Sequence, residues 1–129
     1  MVAVAERTGR GITGDIERAG TCCPGWTPAT SLVSEAEAAT YATWFKALAD
    51  PTRIRILNLL ARTPEPLCVC EIVERFDLGQ PTISHHLRIL RDARFVVAER
   101  RGTWAYYAVN RACLAEFPDA ARHILQPAP

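Results

Sequence analysis

The stretch from Asp77 to Ala93, DLGQPTISHHLRILRDA, constrains this chain more than any other. Gly79 is free to take the left-handed conformation that a sharp turn between two helices needs. Pro81 follows in the first turn of a helix, where its missing N–H costs nothing. Beyond it Ile83, Leu87 and Leu90 recur at helical spacing on one side. The opposite side carries Thr82, His85 and Arg88, with Ser84 on one flank and His86 on the other. Upstream, Val69 to Phe76 reads as a short helix that turns Ile72, Val73 and Phe76 inward. Two short amphipathic helices about a glycine turn, the second basic on its outer face, make a helix-turn-helix.

The flanks complete the architecture. Ser34 followed by Glu37 is a capping box, and it opens a helix holding Ala38, Tyr41, Ala42, Phe45 and Leu48, with Trp44 beside them. Asp50-Pro51 ends that helix and starts another, which runs to about Ala61 with Ile54, Leu57 and Leu60 on its inner side. After the helix-turn-helix, FVVAER and TWAYYAVN are rich in β-branched and aromatic residues and flank Arg101-Gly102, a hairpin pattern. Asn110 then caps a last helix with Leu114, Phe117, Ala121 and Leu125 inward. The expected fold is mainly α with a β-hairpin wing: a winged helix-turn-helix over residues 34–126. Residues 1–33 have four glycines before Cys22 and no sustained period, so they read as a flexible N-terminal arm.

The chain has 129 residues, enough for one domain with a real core. Its apolar runs are short and broken, so nothing is expected to span a bilayer, and the N-terminus lacks the pattern of a secretion signal. A cytoplasmic protein is expected. The formal net charge of +1 hides an asymmetry. Between Gln80 and Arg111 six arginines face two carboxylates, so this third of the chain holds a concentrated positive field. A helix of this kind fits the major groove of double-stranded DNA, where residues near its N-terminal end reach base edges. Gln80, Thr82, Ser84, His85 and Arg88 supply donors and acceptors for that, and Arg100 and Arg101 at the wing tip suit the backbone or the minor groove. Adjacent histidines diverge by about 100° on a helix and chelate poorly. His85 is therefore assigned to DNA, and His86 to helix packing or to the DNA backbone.

Five cysteines remain: Cys22, Cys23, Cys68, Cys70 and Cys113. An odd number without an export signal points to reduced thiols, and so to metal or redox chemistry. Cys113, alone at the start of an apolar helix, reads as packing. Cys68 and Cys70 stand where the short helix begins, and a helix N-terminus favours anions and lowers a thiol pKa. Two residues apart on a helix is about 200° around its axis. The pair therefore gives two sulfurs to one ion only if the first turn is distorted. There is no Cys-x-x-Cys and no nucleophile with an orienting base, so no enzyme is expected.

Taken in order and spacing, LADPTRIRILNLL, CVCEIV, QPTISHHLRILRDA and ERRGTWAYYAV resemble the ArsR/SmtB family of metalloregulatory repressors over about residues 40 to 110. The resemblance implies a homodimer, joined through its first and last helices, that leaves operator DNA when a metal or metalloid binds. CVCE is similar to the motif of the family's arsenic sensors, some of which add cysteines from an N-terminal arm. That implies a site of Cys22, Cys23 and at least one of Cys68 and Cys70, within one subunit or across the dimer. Arsenite is the implied inducer and antimony a further candidate, both being thiophilic. Val73 stands where some arsenic sensors have a third cysteine. On the last helix Asp119 and His123 are present, but the second histidine and acid of the zinc sensors are missing. A cadmium or lead sensor with four thiolates, and a thiol-redox-switched repressor, remain the alternatives.

Overall fold

The computed structural model of the protein describes residues 32–126. Its elements are α1 (Glu35–Leu48), α2 (Pro51–Arg62), β1 (Leu67–Cys68), α3 (Val69–Val73), α4 (Gln80–Asp92), β2 (Val96–Arg101), β3 (Trp104–Val109) and α5 (Arg111–Leu125). Helices, helix-turn-helix, hairpin and final helix follow in the expected order. The addition is β1, which pairs antiparallel with β3 (Leu67 opposite Tyr107, Cys68 opposite Tyr106) and makes a sheet of order β1-β3-β2. No helix among the described residues is long and apolar enough to cross a membrane. The arm, with Cys22 and Cys23, lies outside these residues.

Both expected helix starts are present. Ser34 Oγ accepts the Glu37 amide at 3.1 Å while the Glu37 carboxylate accepts the Ser34 amide at 3.0 Å. Asp50 Oδ1 accepts the amides of Thr52 (2.8 Å) and Arg53 (3.1 Å), and Pro51 opens α2. The Arg53 amide, and after it the Thr52 amide, hold the Asp50 carboxyl below its usual value of 3.8 against the opposing effect of burial. A carboxylate whose folded pKa is depressed stabilises fully above its unfolded value, and loses that contribution as pH falls through the folded one. Asp50→Ala is expected to cost about 1 kcal/mol at neutral pH, the usual worth of an N-cap. Urea titrations of both proteins should converge once the pH falls well below 3.8; a gap that persists there would assign the loss to something other than the charged cap.

The core forms where these elements meet. Ile83, Leu87 and Leu90 of α4 are fully buried, as their spacing requires, against Ile56, Leu57 and Leu60 of α2 and Ile72 of α3. The inner face of α2 is rotated from expectation: Ile54 is 52% exposed and Ile56 takes its place. In α1 the buried residues are Tyr41, Trp44 and Ala47, while Phe45 is exposed. In α5 they are Cys113 and Ala120, with Leu114, Phe117 and Ala121 half-buried and Leu125 80% exposed. Asn110 holds the N-cap position of α5 but makes no side-chain cap bond; it is buried, and its amide donates to the Phe95 carbonyl at 2.8 Å.

One backbone feature aims the wing. Arg94 has φ 70°, and the Phe95 amide donates to the Leu90 carbonyl at 2.9 Å. This is the left-handed stop that glycine commonly fills, and it turns the chain from α4 directly into β2. The hairpin then runs in register from Val96 opposite Val109 to Arg101 opposite Trp104, closed by Gly102 at φ 66°.

Candidate DNA-reading face and thiol site

Burial of Ile83, Leu87 and Leu90 fixes which side of α4 faces out. Gln80, Thr82, His85 and Arg88 are exposed, and Ser84 is half-buried at the edge of the same face. His86 turns the other way. It is half-buried, and its Nδ1 lies 3.2 Å from Nη1 of Arg53 on α2. At the wing tip Arg100 is exposed, whereas Arg101 folds back over the Tyr106 ring (4.6 Å) and lies 3.6 Å from Glu99 Oε1. Trp104, opposite Arg101, is 54% exposed.

Two of these residues escaped the sequence reading. In the sequence Trp104 counts only among the aromatics of the TWAYYAVN run, although an aromatic beside a basic turn tip can equally stand out from the ribbon. Arg53 shares the stripe of Leu57 and Leu60 at i, i+4 and i+7. A lone charge on an apolar stripe was the signal for it.

The thiol pair departs from expectation most. Cys68 is not in the helix: at φ −64° and ψ 148° it is the extended N-cap of α3, held in β1. Its Sγ accepts the Cys70 amide at 3.3 Å, and its own amide donates to Glu71 Oε1 at 2.8 Å, so sulfur takes the part serine plays in a capping box. From that position the sulfur swings back over the first turn. The two Sγ atoms lie 2.7 Å apart without any distortion of the helix. A separation of about 200° applies only when both residues are helical, and Cys68 is not. Cys68 is buried and Cys70 exposed, so the pair opens to solvent on the Cys70 side.

The expected lowering of thiol pKa fails at Cys70. Its hydrogen bond with Cys68, then desolvation and the Cys68 charge, push it above the usual 9.0. Both thiols are free, and Cys113 is fully buried in α5. Among the described residues no group of three or more His, Cys, Asp and Glu side chains assembles around one point. On α5 Asp119 pairs with Arg122, and His123 sits edge-on to Tyr41 at 6.4 Å.

The match to known proteins falls on these parts. The family model described as bacterial regulatory protein, arsR family, covers residues 50–97, from the cap of α2 into β2. An HTH-type transcriptional regulator of Methanocaldococcus jannaschii is 51% identical over 65 residues, half of this chain and 72% of that protein. The chain belongs to the ArsR family. It is therefore a winged-helix, DNA-binding transcriptional regulator and not an enzyme. Among its ArsR-family relatives, the arsenical resistance operon repressor of Bacillus subtilis is 44% identical over 66 residues. That stretch is 51% of this chain and 62% of the repressor, so less than two thirds of the relative's length is spanned. The crystal structure of M. tuberculosis Rv0081 superposes with a TM-score of 0.56 at 35% identity, over 71% of this chain and 91% of that one.

Proposed function

We propose that this ArsR-family protein is a metalloid-responsive repressor. It binds operator DNA as a homodimer through Gln80, Thr82, Ser84, His85, Arg88, Arg100 and Arg101, and lets go when trivalent arsenic binds cysteine thiolates. The observation that carries this reading is the convergence of Cys68 and Cys70, Sγ to Sγ at 2.7 Å, on the first helix of the helix-turn-helix. Two soft sulfurs already side by side suit a thiophilic ion. Cys22 and Cys23 are the remaining candidates for a third ligand. A relative named for arsenical resistance supports the same inducer, with antimony next in chemistry.

The position of Cys68 suggests how binding is felt. Metal–sulfur bonds are about 2.3 Å long, so two sulfurs on one ion cannot stay 2.7 Å apart without an angle far below tetrahedral. They must spread, which draws the Cys68 sulfur off the Cys70 amide and uncaps α3. That helix packs against α4, and the strand holding Cys68 pairs with Tyr106, the ring beneath Arg101. Reading helix and wing are both neighbours of the disturbed atom. Half-sites on DNA lie about one helical turn apart, so a small change in the set of the two α4 helices suffices to lose affinity.

The same contact supports a second reading, oxidation of the two thiols to a disulfide by peroxide, with release of two water molecules. Fluorescence anisotropy of the reduced protein on DNA from its own upstream region separates the two. Release by arsenite at low stoichiometry, with peroxide inert, is the expected result. Retention through arsenite with release by peroxide moves the assignment to the redox switch. Release by cadmium or lead alone moves it to a four-thiolate site.

A further inference from the structure

Arg53 of α2 is tied to three elements. Its Nε donates to the Ala47 carbonyl at the end of α1 (2.6 Å), its guanidinium lies 4.0 Å from Asp50, and Nη1 reaches His86 Nδ1 on α4 at 3.2 Å. Only 13% of the side chain is exposed. One planar group thus spans three elements: the last turn of α1, the cap of α2 and the middle of the DNA-reading helix. Arginine carries only donors and keeps its charge, so His86 must accept at Nδ1 and carry its proton on Nε2. A fixed fork of donors meeting an acceptor in a half-buried place sets direction as well as distance.

We propose that Arg53 and His86 are positioning residues: the bond between them fixes the rotation of α4 about its own axis, and with it the aim of Thr82, His85 and Arg88 at base edges. Packing alone does not fix that angle. Ile83, Leu87 and Leu90 hold α4 against the core, but an aliphatic stripe tolerates small rotations at little cost, whereas the hydrogen bond does not. The pair also ties α4 to α1, so rotation of the reading helix is referred to a helix outside the helix-turn-helix. His86 accordingly acts through Arg53 and not by touching DNA. The proposal rests on α4 being the DNA-reading helix, and it is independent of the inducing ion.

Two substitutions of His86 separate the roles of its nitrogens. In His86→Asn the amide oxygen takes the place of Nδ1 and can still accept from Arg53. In His86→Gln it takes the place of Nε2, the atom that would reach DNA. Anisotropy of the full chain on DNA from its upstream region and on a scrambled duplex is read beside thermal unfolding, with Arg88→Ala as reference. His86→Asn is expected to bind the upstream DNA within about threefold of wild type. His86→Phe, which fills the space without an acceptor, should bind at least about tenfold more weakly, the order of a hydrogen bond to a charged group. Binding to the scrambled duplex should hardly change. Should His86→Phe fail to fold, Arg53→Met is the second probe, with the same loss expected. Equal binding by His86→Phe and wild type while Arg88→Ala is impaired would overturn the proposal. So would rescue by glutamine but not asparagine, which would make His86 a DNA contact. An unimpaired Arg88→Ala would remove α4 as the reading helix, and the proposal with it.

Discussion

Serine at Cys68 or at Cys70 is expected to leave operator affinity within about threefold of wild type while arsenite no longer releases the DNA. Allosteric coupling of about 1–3 kcal/mol corresponds to roughly 5- to 150-fold in affinity, and that whole span should vanish on arsenite addition in either variant. The substitution is chemically selective. A hydroxyl is a hard, neutral donor at neutral pH and a poor replacement for a thiolate on a soft ion. It is also structurally mild. Serine is among the preferred N-cap residues, so Cys68→Ser keeps the capping box that the Cys68 sulfur and Glu71 now form. Cys70 is exposed and its loss leaves no cavity. The measurement is anisotropy on upstream DNA with and without arsenite. Full release from both variants would remove the pair from the site, and full release from only one would show that the other sulfur suffices.

The particular residues show which parts of this molecule a sequence makes visible. Asp50-Pro51, Pro81 and Gly102 mark boundaries by their own backbone chemistry, so α2, α4 and the wing can be placed without knowing their neighbours. Gly79, expected to be left-handed, instead caps α4 from the extended region at φ −75° and ψ 164°. Which face of a helix is inner is a different matter. Ile54 and Ile56 both fit an apolar stripe with Leu57 and Leu60, and only packing against α4 chose Ile56. The convergence of the thiol pair is hidden from the sequence for a related reason. Cys68 lies outside the helix because β1 pairs with Tyr106 and Tyr107, far along the chain, and nothing within CVCEIV records that pairing. Likewise the Arg53–His86 bond joins residues 33 positions apart. Local chemistry is written locally; convergence of side chains is decided by the partner strand or helix.

Phe95→Ala is expected to lower unfolding free energy by about 3–5 kcal/mol, the usual cost of deleting a buried aromatic side chain. Phe95 is fully buried just after the left-handed turn at Arg94, and its carbonyl receives the Asn110 amide at 2.8 Å. Its ring meets Phe117 of α5 edge-on at 5.4 Å, and Phe117 in turn meets Trp44 of α1 at 6.1 Å. The base of the wing, α5 and α1 therefore share one aromatic joint. A vacancy there collapses poorly, because the β2–β3 ladder fixes one wall and two helices the others. Domains of this size hold only about 5–15 kcal/mol in all. The loss would thus bring the protein near its unfolding limit, where each kcal/mol moves the melting temperature by roughly 4–8 °C. Urea titration should show a lower midpoint at unchanged slope, with Phe95→Leu losing much less. A loss below about 1 kcal/mol, the size seen for near-isosteric core exchanges, would mean that the joint repacks freely. The wing would then be held to the helices by its backbone alone.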